Sequence, residues 1–146
     1  MPKIILMIGL PRSGKSTWVK NNKTTEVVIS ADDIRYLVYN QRFWGEGEPL
    51  MWSVRGMMLK YLMQQGVDII IDETNTTKER RKPIIKMAKK FGYEIIGNTV
   101  EGVLIDECVK RADKTGQEDL IPIIKAMAEK FELPEIADGF DILNMV

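Results

Sequence analysis

Gly9-Leu10-Pro11-Arg12-Ser13-Gly14-Lys15-Ser16-Thr17, preceded by the apolar run Ile4-Ile5-Leu6-Met7-Ile8, governs the reading of this 146-residue chain. The nine residues satisfy G-x-x-x-x-G-K-[ST]. The run before them supplies the buried strand that such a phosphate-cradling loop leaves before it enters a helix. Glycines let backbone N–H groups close around phosphate oxygens, Lys15 reaches the β- and γ-phosphates, and the Ser16 hydroxyl binds the accompanying magnesium ion. A plain glycine turn between strand and helix is the alternative, and the flanking strand weighs against it. The stretch predicts that residues 9–17 hold a nucleoside triphosphate.

Working outward, the apolar runs recur in alternation with helical patterns. Strands are expected at 3–8, 26–30, 67–72, 93–101 and 140–145, and helices at 15–22, 31–39, 50–65, 105–114 and 119–131. Residues 40–49, with Gly45, Gly47 and Pro49, read as a loop. Thr77 is a candidate N-cap for a helix running to Phe91-Gly92. Pro83 sits awkwardly inside it, so that helix is expected to begin near Arg80 or to be kinked. Met51, Met57, Met58 and Met63 are expected in the core. Alternating βα units imply an α/β fold: a parallel five-stranded sheet with helices on both faces, in one domain spanning 1–146. Ligands then bind beyond the carboxyl ends of the strands.

Composition narrows the chemistry. Lys+Arg and Asp+Glu balance at 21 each, so no global basic field announces a nucleic-acid partner. Lys78, Arg80, Arg81, Lys82, Lys86, Lys89 and Lys90 nevertheless cluster against Glu79 alone. That cluster reads as a solvated helix face or a polyanion track. One cysteine, Cys108, excludes an internal disulfide and suits a reducing cytoplasm. With no histidine, any general base must be a carboxylate, a lysine or a tyrosine. The N-terminal apolar run is too short to span a membrane and no signal-peptide cleavage region follows it, so a cytoplasmic location is expected.

The strand ends sort the carboxylates. Asp32 and Asp33 follow the second strand, and Asp72 and Glu73 end the third, both at the sheet edge where residues 9–17 lie. Asp32 and Arg35 share a helix face. The first can take a proton from an attacking hydroxyl, and the second can hold an anionic substrate or steady a transferring phosphoryl group. A helix N-cap aspartate with an intrahelical ion pair would also explain them. Asp72 is placed to contact the magnesium shell directly or through water. The side chains of Thr74 and Asn75 could hydrogen-bond a substrate, and a simple turn is the bland account of that loop. Lys110, Arg111 and Lys114 put three cations in one short helix, either a small helical lid over the phosphates or a solvated helix end. Trp44 and Trp52 flank the glycine-bearing loop and offer stacking surfaces for bases or packing for the core.

Together, Gly9 to Trp18, Asp32-Asp33-Ile34-Arg35, Asp72-Glu73-Thr74-Asn75 with Glu79-Arg80-Arg81, and Val109-Lys110-Arg111 resemble the 5′-kinase domain of phage-type polynucleotide kinases, from residue 3 to about Pro134. The resemblance implies a P-loop NTPase fold and ATP-dependent, Mg²⁺-dependent phosphorylation of a 5′-hydroxyl on RNA or DNA. It further implies Asp32 as general base, Arg35 as the contact to substrate phosphate and transition state, and Lys15 and Ser16 on ATP and magnesium. Thr74 and Asn75 would line the substrate channel, and Arg111 the lid. The family enzyme carries a C-terminal phosphatase domain that lies beyond this sequence, so 3′-end repair is expected from another protein.

One departure stands out. The family lid presents a second arginine where this chain has Thr115, and Arg12 occupies a position that is glycine in the phage enzyme. Arg12 or Lys114 is the expected substitute for that charge. Two other readings stay beside this one: a kinase of a small-molecule hydroxyl, and a nucleotide-binding module with negligible transfer activity. Self-association is compatible with all three, and none needs a membrane partner.

Overall fold

The run after Pro2 becomes β1 (Lys3–Ile8), a strand apolar on both faces that is stable only when both are covered. The computed structural model describes residues 1–100 and 104–146. Among them the chain continues through α1 (Lys15–Asn22), β2 (Val27–Ile29), α2 (Ala31–Tyr39), α3 (Glu48–Gln65), β3 (Ile69–Ile71) and α4 (Lys78–Lys90). It closes with β4 (Glu94–Thr99), α5 (Ile105–Lys114), α6 (Ile121–Glu129) and β5 (Ile142–Met145). Every strand pair is parallel, in the order β2-β3-β1-β4-β5. The α/β architecture expected from the alternating pattern is therefore present.

Side-chain alternation along β1 divides the interior. Ile4, Leu6 and Ile8 join Ile29, Ile69 and Ile71 against Ile34 of α2, Met51, Leu59 and Met63 of α3, and Ile84, Ile85 and Ala88 of α4. Ile5, Met7 and Ile70 face the other way, onto Val19 of α1. A third cluster joins Cys108 and Ala112 of α5 to Ile124 of α6, with Leu10 packed against it. That contact hangs the α5–α6 pair on the rim of the loop at residues 9–14. Among the described residues, no helix is long and apolar enough to cross a membrane.

Several element boundaries differ from expectation for local reasons. The second strand is shorter than 26–30 because Ser30 caps α2, its Oγ accepting the Asp33 N–H at 3.3 Å. The expected 40–49 loop contains a 3₁₀ turn at Gly45–Gly47, and α3 begins at Glu48 because Pro49 suits a first helical turn. The Thr77 side chain accepts the Arg80 N–H, so α4 starts at Lys78 rather than near Arg80. Pro83 therefore lies inside the helix and has no N–H to give the Glu79 carbonyl. Met57 is 71% exposed and is not core, whereas Met51 and Met63 are buried.

The C-terminal half shows the same kind of adjustment. The strand expected over 93–101 spans Glu94–Thr99, and residue 101 lies outside the described residues. The helix expected over 119–131 divides into a 3₁₀ turn at Glu118–Leu120 and α6. The last strand begins at Ile142 because Phe140 turns into the core and Asp141 fixes the register. Asp141 N–H donates to the Ile95 carbonyl, and its Oδ2 accepts the Ile95 N–H, both at 2.8 Å. A Cβ on Gly97 would lie 2.8 Å from Leu143 and 3.0 Å from Phe140, so glycine is what lets β5 close against β4.

Candidate active site

The glycine loop turns where its backbone must be left-handed. Gly14, the N-cap of α1, has φ 104°, and Arg12 has φ 66°, a conformation that a side chain disfavours. Gly9 N–H donates to the Thr74 carbonyl at 3.0 Å, tying this loop to the one after β3. Lys15 is buried, and its Nζ donates to the Leu10 carbonyl at 2.7 Å rather than to a carboxylate. Burial pushes its ammonium down to about 8, opposed by the charges of Asp72 and Asp32. Ser16 Oγ donates to Asp72 Oδ2 at 2.7 Å. Burial raises the Asp72 carboxyl above its ordinary range, while the Ser16 hydroxyl and Lys15 pull it back.

The donor set at Ser16 and Asp72, one hydroxyl and one carboxylate, fits Mg²⁺. That ion binds through few protein oxygens and takes the rest from phosphates and water. Among the described residues, no group of three or more His, Cys, Asp or Glu side chains forms a closed metal cage. The pair suits an ion that arrives with a nucleotide.

Asp32 stands on the first turn of α2 with its side chain 76% exposed. Arg35 Nη1 donates to its Oδ1 at 2.8 Å, and Arg35 Nε and Nη2 reach Glu48 at 3.0 and 2.8 Å. Tyr39 Oη donates to the same carboxylate at 2.6 Å. Burial works against the Arg35 charge, but Glu48 and Asp32 outweigh it and raise its pKa. Asp32 follows the carboxyl end of β2, Asp72 that of the neighbouring parallel β3 and Lys15 the loop after β1, so all three share one edge of the sheet.

The remaining expected residues divide. Asn75 is buried in a left-handed conformation with φ 46°, and its Nδ2 donates to the Met7 carbonyl at 2.8 Å. It anchors the loop to β1, and the amide's second N–H donates to the Glu73 carbonyl at 3.4 Å, so a substrate bond from that nitrogen would have to replace one of the two. Thr74 is half-buried beside it. Arg111 Nη1 donates to the Arg12 carbonyl at 3.1 Å, placing α5 against the glycine loop. Thr115 Oγ1 turns back to the Arg111 carbonyl at 2.9 Å and caps α5. The side chains of Arg12 and Lys114 make no hydrogen bond or ion pair among the described residues. An apolar cavity of about 330 Å³ adjoins the loop, lined by Gly9, Ser13, Val100, Ile105, Phe131 and Met145 among others.

The sequence reading missed Glu48, Tyr39 and the Arg55–Glu73 pair, whose Nη2–Oε1 distance is 2.6 Å. It also missed that Arg42 ion-pairs with Asp119, joining the loop after α2 to the turn between α5 and α6. Arg81 was grouped with a solvated or polyanion-binding face, but it is fully buried. Its Nη1 donates to the Asn75 carbonyl at 2.8 Å, while Nε and Nη2 have no hydrogen-bond partner among the described residues. A signal was available: Arg81, Ile84, Ile85 and Ala88 fall at i, i+3, i+4 and i+7, the spacing of a buried stripe.

Comparison with known proteins bears on this arrangement. Residues 4–134 match the model of a family described as AAA domain. The chain is 25% identical over 148 aligned residues to an L-seryl-tRNA(Sec) kinase of Methanococcus maripaludis, covering 95% of this chain and 56% of that protein. A chain of the Pnkp1/Rnl/Hen1 RNA repair complex superposes with a TM-score of 0.68 at 20% identity, covering 90% of this chain and 46% of its own length. A structure from the PezAT toxin–antitoxin system of Streptococcus pneumoniae superposes with a TM-score of 0.73 at 19% identity, covering 99% and 67%. The chain thus spans about half the length of the first two. The match over residues 4–134, on a sheet whose glycine loop leads into Lys15 and a Ser16 bonded to Asp72, places this chain in the AAA domain family AAA_33.

Proposed function

We propose that this chain transfers the γ-phosphate of ATP to the 5′-hydroxyl of a polynucleotide. The observation that carries the reading is Asp32: an exposed carboxylate, oriented by Arg35, on the sheet edge that holds Lys15, Ser16 and Asp72. A buried, fully paired aspartate would serve the helix alone. This one keeps an oxygen for an incoming hydroxyl.

The acceptor O–H gives its proton to Asp32 as its oxygen attacks the γ-phosphorus, and the bond from that phosphorus to the β-bridging oxygen breaks, releasing ADP. Lys15 leaves the Leu10 carbonyl to hold the β- and γ-phosphate oxygens. Arg35 steadies charge on the acceptor and the transferring group. Ser16, with Asp72 directly or through water, would hold Mg²⁺, which when bound neutralises phosphate charge. Arg111 closes α5 over the nucleotide, and Arg12 or Lys114 supplies the charge absent at Thr115. Thr74 borders the acceptor path. The nucleic-acid acceptor is supported by the motif likeness and by two relatives named for work on RNA, a tRNA kinase and an RNA repair complex.

Transfer of radiolabelled γ-phosphate to 5′-hydroxyl RNA, 5′-hydroxyl DNA and a nucleoside panel tests the proposal. Labelling of the oligonucleotides is expected, with KM rising steeply with salt. Labelling of nucleosides alone would replace it with a small-molecule kinase. Slow hydrolysis indifferent to every acceptor would replace it with a nucleotide-binding module.

A further inference from the structure

Trp52, in α3, is half-buried against the core. Three guanidinium groups from three helices surround its indole. The Cζ of Arg55 lies 5.5 Å from the ring centroid, that of Arg80 5.6 Å and that of Arg35 5.7 Å. Each is within the range where the ring quadrupole attracts a cation. Three like charges around one ring also repel, and two of them are neutralised. Arg35 has Glu48 and Asp32, and Arg55 bonds Glu73 through Nε at 3.1 Å and Nη2 at 2.6 Å. Arg80 is exposed and has no carboxylate in ion-pairing distance among the described residues.

Its place in the site is defined. Arg80 occupies the first turn of α4, just after the loop that runs from Asp72 to Thr77. The shared ring links it to Arg35 and so to Asp32. The Glu48 carboxyl is held below its usual range by Arg35 first, against burial and with help from Tyr39, and the Arg80 charge adds to that field. A planar fork of N–H donors, steadied on an aromatic face and without an anion, matches the oxygens of a phosphate. A neutral alcohol offers it nothing.

We propose that Arg80 binds a phosphate carried by the acceptor, on the side of the reacting hydroxyl away from the donor. It would thereby make the site selective for nucleotides and oligonucleotides over uncharged alcohols. This rests on the phosphotransferase reading above and names the residue that would select its acceptor class. Arg55 holds the ring and Glu73, Arg35 stays beside Asp32 at the reacting groups, and Arg80 meets the acceptor's phosphate.

The test compares wild type, Arg80→Ala and Arg80→Lys on a nucleoside, its 3′-phosphate and a 5′-hydroxyl oligonucleotide. Arg80→Ala is expected to raise KM for the two phosphorylated acceptors about 10- to 100-fold. It should leave kcat, the KM for ATP and use of the plain nucleoside unchanged. Arg80→Lys should recover part of the loss. The slope of log KM against log salt should fall by about one for the oligonucleotide, which a merely structural arginine would not produce. An equal effect on the plain nucleoside, or none on any acceptor, overturns the proposal while the kinase reading stands. If wild type labels no acceptor, the kinase reading fails, and anisotropy of a labelled 5′-hydroxyl dinucleotide still decides the arginine's role. Unchanged affinity in Arg80→Ala then rejects it, and weakened affinity supports it.

Discussion

Asp72 and Asp32 belong to the same edge of the sheet but to opposite surroundings. Asp72 is drawn in beside Lys15, and burial disfavours the charge on both. Lys15 there bonds a backbone carbonyl, so the floor of the site carries a buried cation that no carboxylate pairs with among the described residues. Asp32 is largely in water, and the charges behind it are complete: Arg35 reaches Asp32 and Glu48, and Tyr39 reaches Glu48. The floor thus leaves a charge for a ligand to pair, whereas the wall is paired within the chain. On the proposed function, a phosphate anion gains most at the floor, while the acceptor meets a preset geometry.

The contrast is broken most severely at the wall. Glu48→Gln removes the anion that locks Arg35, in a pair whose side chains are 16% and 17% exposed. Turnover is expected to fall about 10- to 100-fold, and stability by about 2 kcal/mol, since charged hydrogen bonds of this kind contribute on that scale. Denaturant unfolding beside steady-state rates reads both. Full activity in this variant would show that the wall does not need to be preset.

The floor predicts a pH effect of opposite character. Lys15 titrates near 8 in the folded chain against an ordinary 10.5. Below pH 8 it is protonated folded and unfolded alike, and the fold bears the whole burial penalty. Between 8 and 10.5 the folded chain sheds the proton first, so this group's destabilising effect fades as pH rises. Phosphate oxygens restore the charge. ATP affinity should therefore be level below pH 8 and fall up to roughly tenfold per unit above it, with uptake of about one proton at most. Calorimetry in two buffers of different ionisation enthalpy measures the uptake, and a level affinity from pH 7 to 9.5 would contradict it.

The smallest effect lies in the loop itself. Arg12 is left-handed at φ 66°, which explains why glycine can stand there in a similar enzyme. Arg12→Gly should gain up to about 1 kcal/mol, relief of strain being partly offset by the freer unfolded chain. A thermal melt reads the gain. If Arg12 also supplies the charge missing at Thr115, turnover drops in the same variant.

How much of this was legible in the sequence follows from how local each signal is. The glycine loop, the strands and Thr77 as a cap depend on neighbours within a few residues, and each strand falls inside its expected stretch, though four of the five are shorter than it. Glu48 reaches Arg35 across 13 positions, and Arg55 reaches Glu73 across 18, separations at which no periodicity speaks. Trp52 was visible only as an aromatic. Its role as a hub needs α2, α3 and α4 to be folded together. Met57 was misplaced because α3 is apolar on several sides, with Leu50, Met57 and Tyr61 exposed, so spacing did not mark one inward stripe. Arg81 was hidden by its charged neighbours, although its spacing to Ile84, Ile85 and Ala88 marked it as inward.

Phosphoryl transfer by Asp32→Asn, measured beside ATP affinity on the same preparation, addresses the central claim. The side chain keeps its shape and its place beside Arg35 but can no longer take a proton. The rate is expected to be lower by about 10²–10⁴ with ATP binding nearly intact. Equal rates in the two proteins would show that the exposed carboxylate on α2 is not the base.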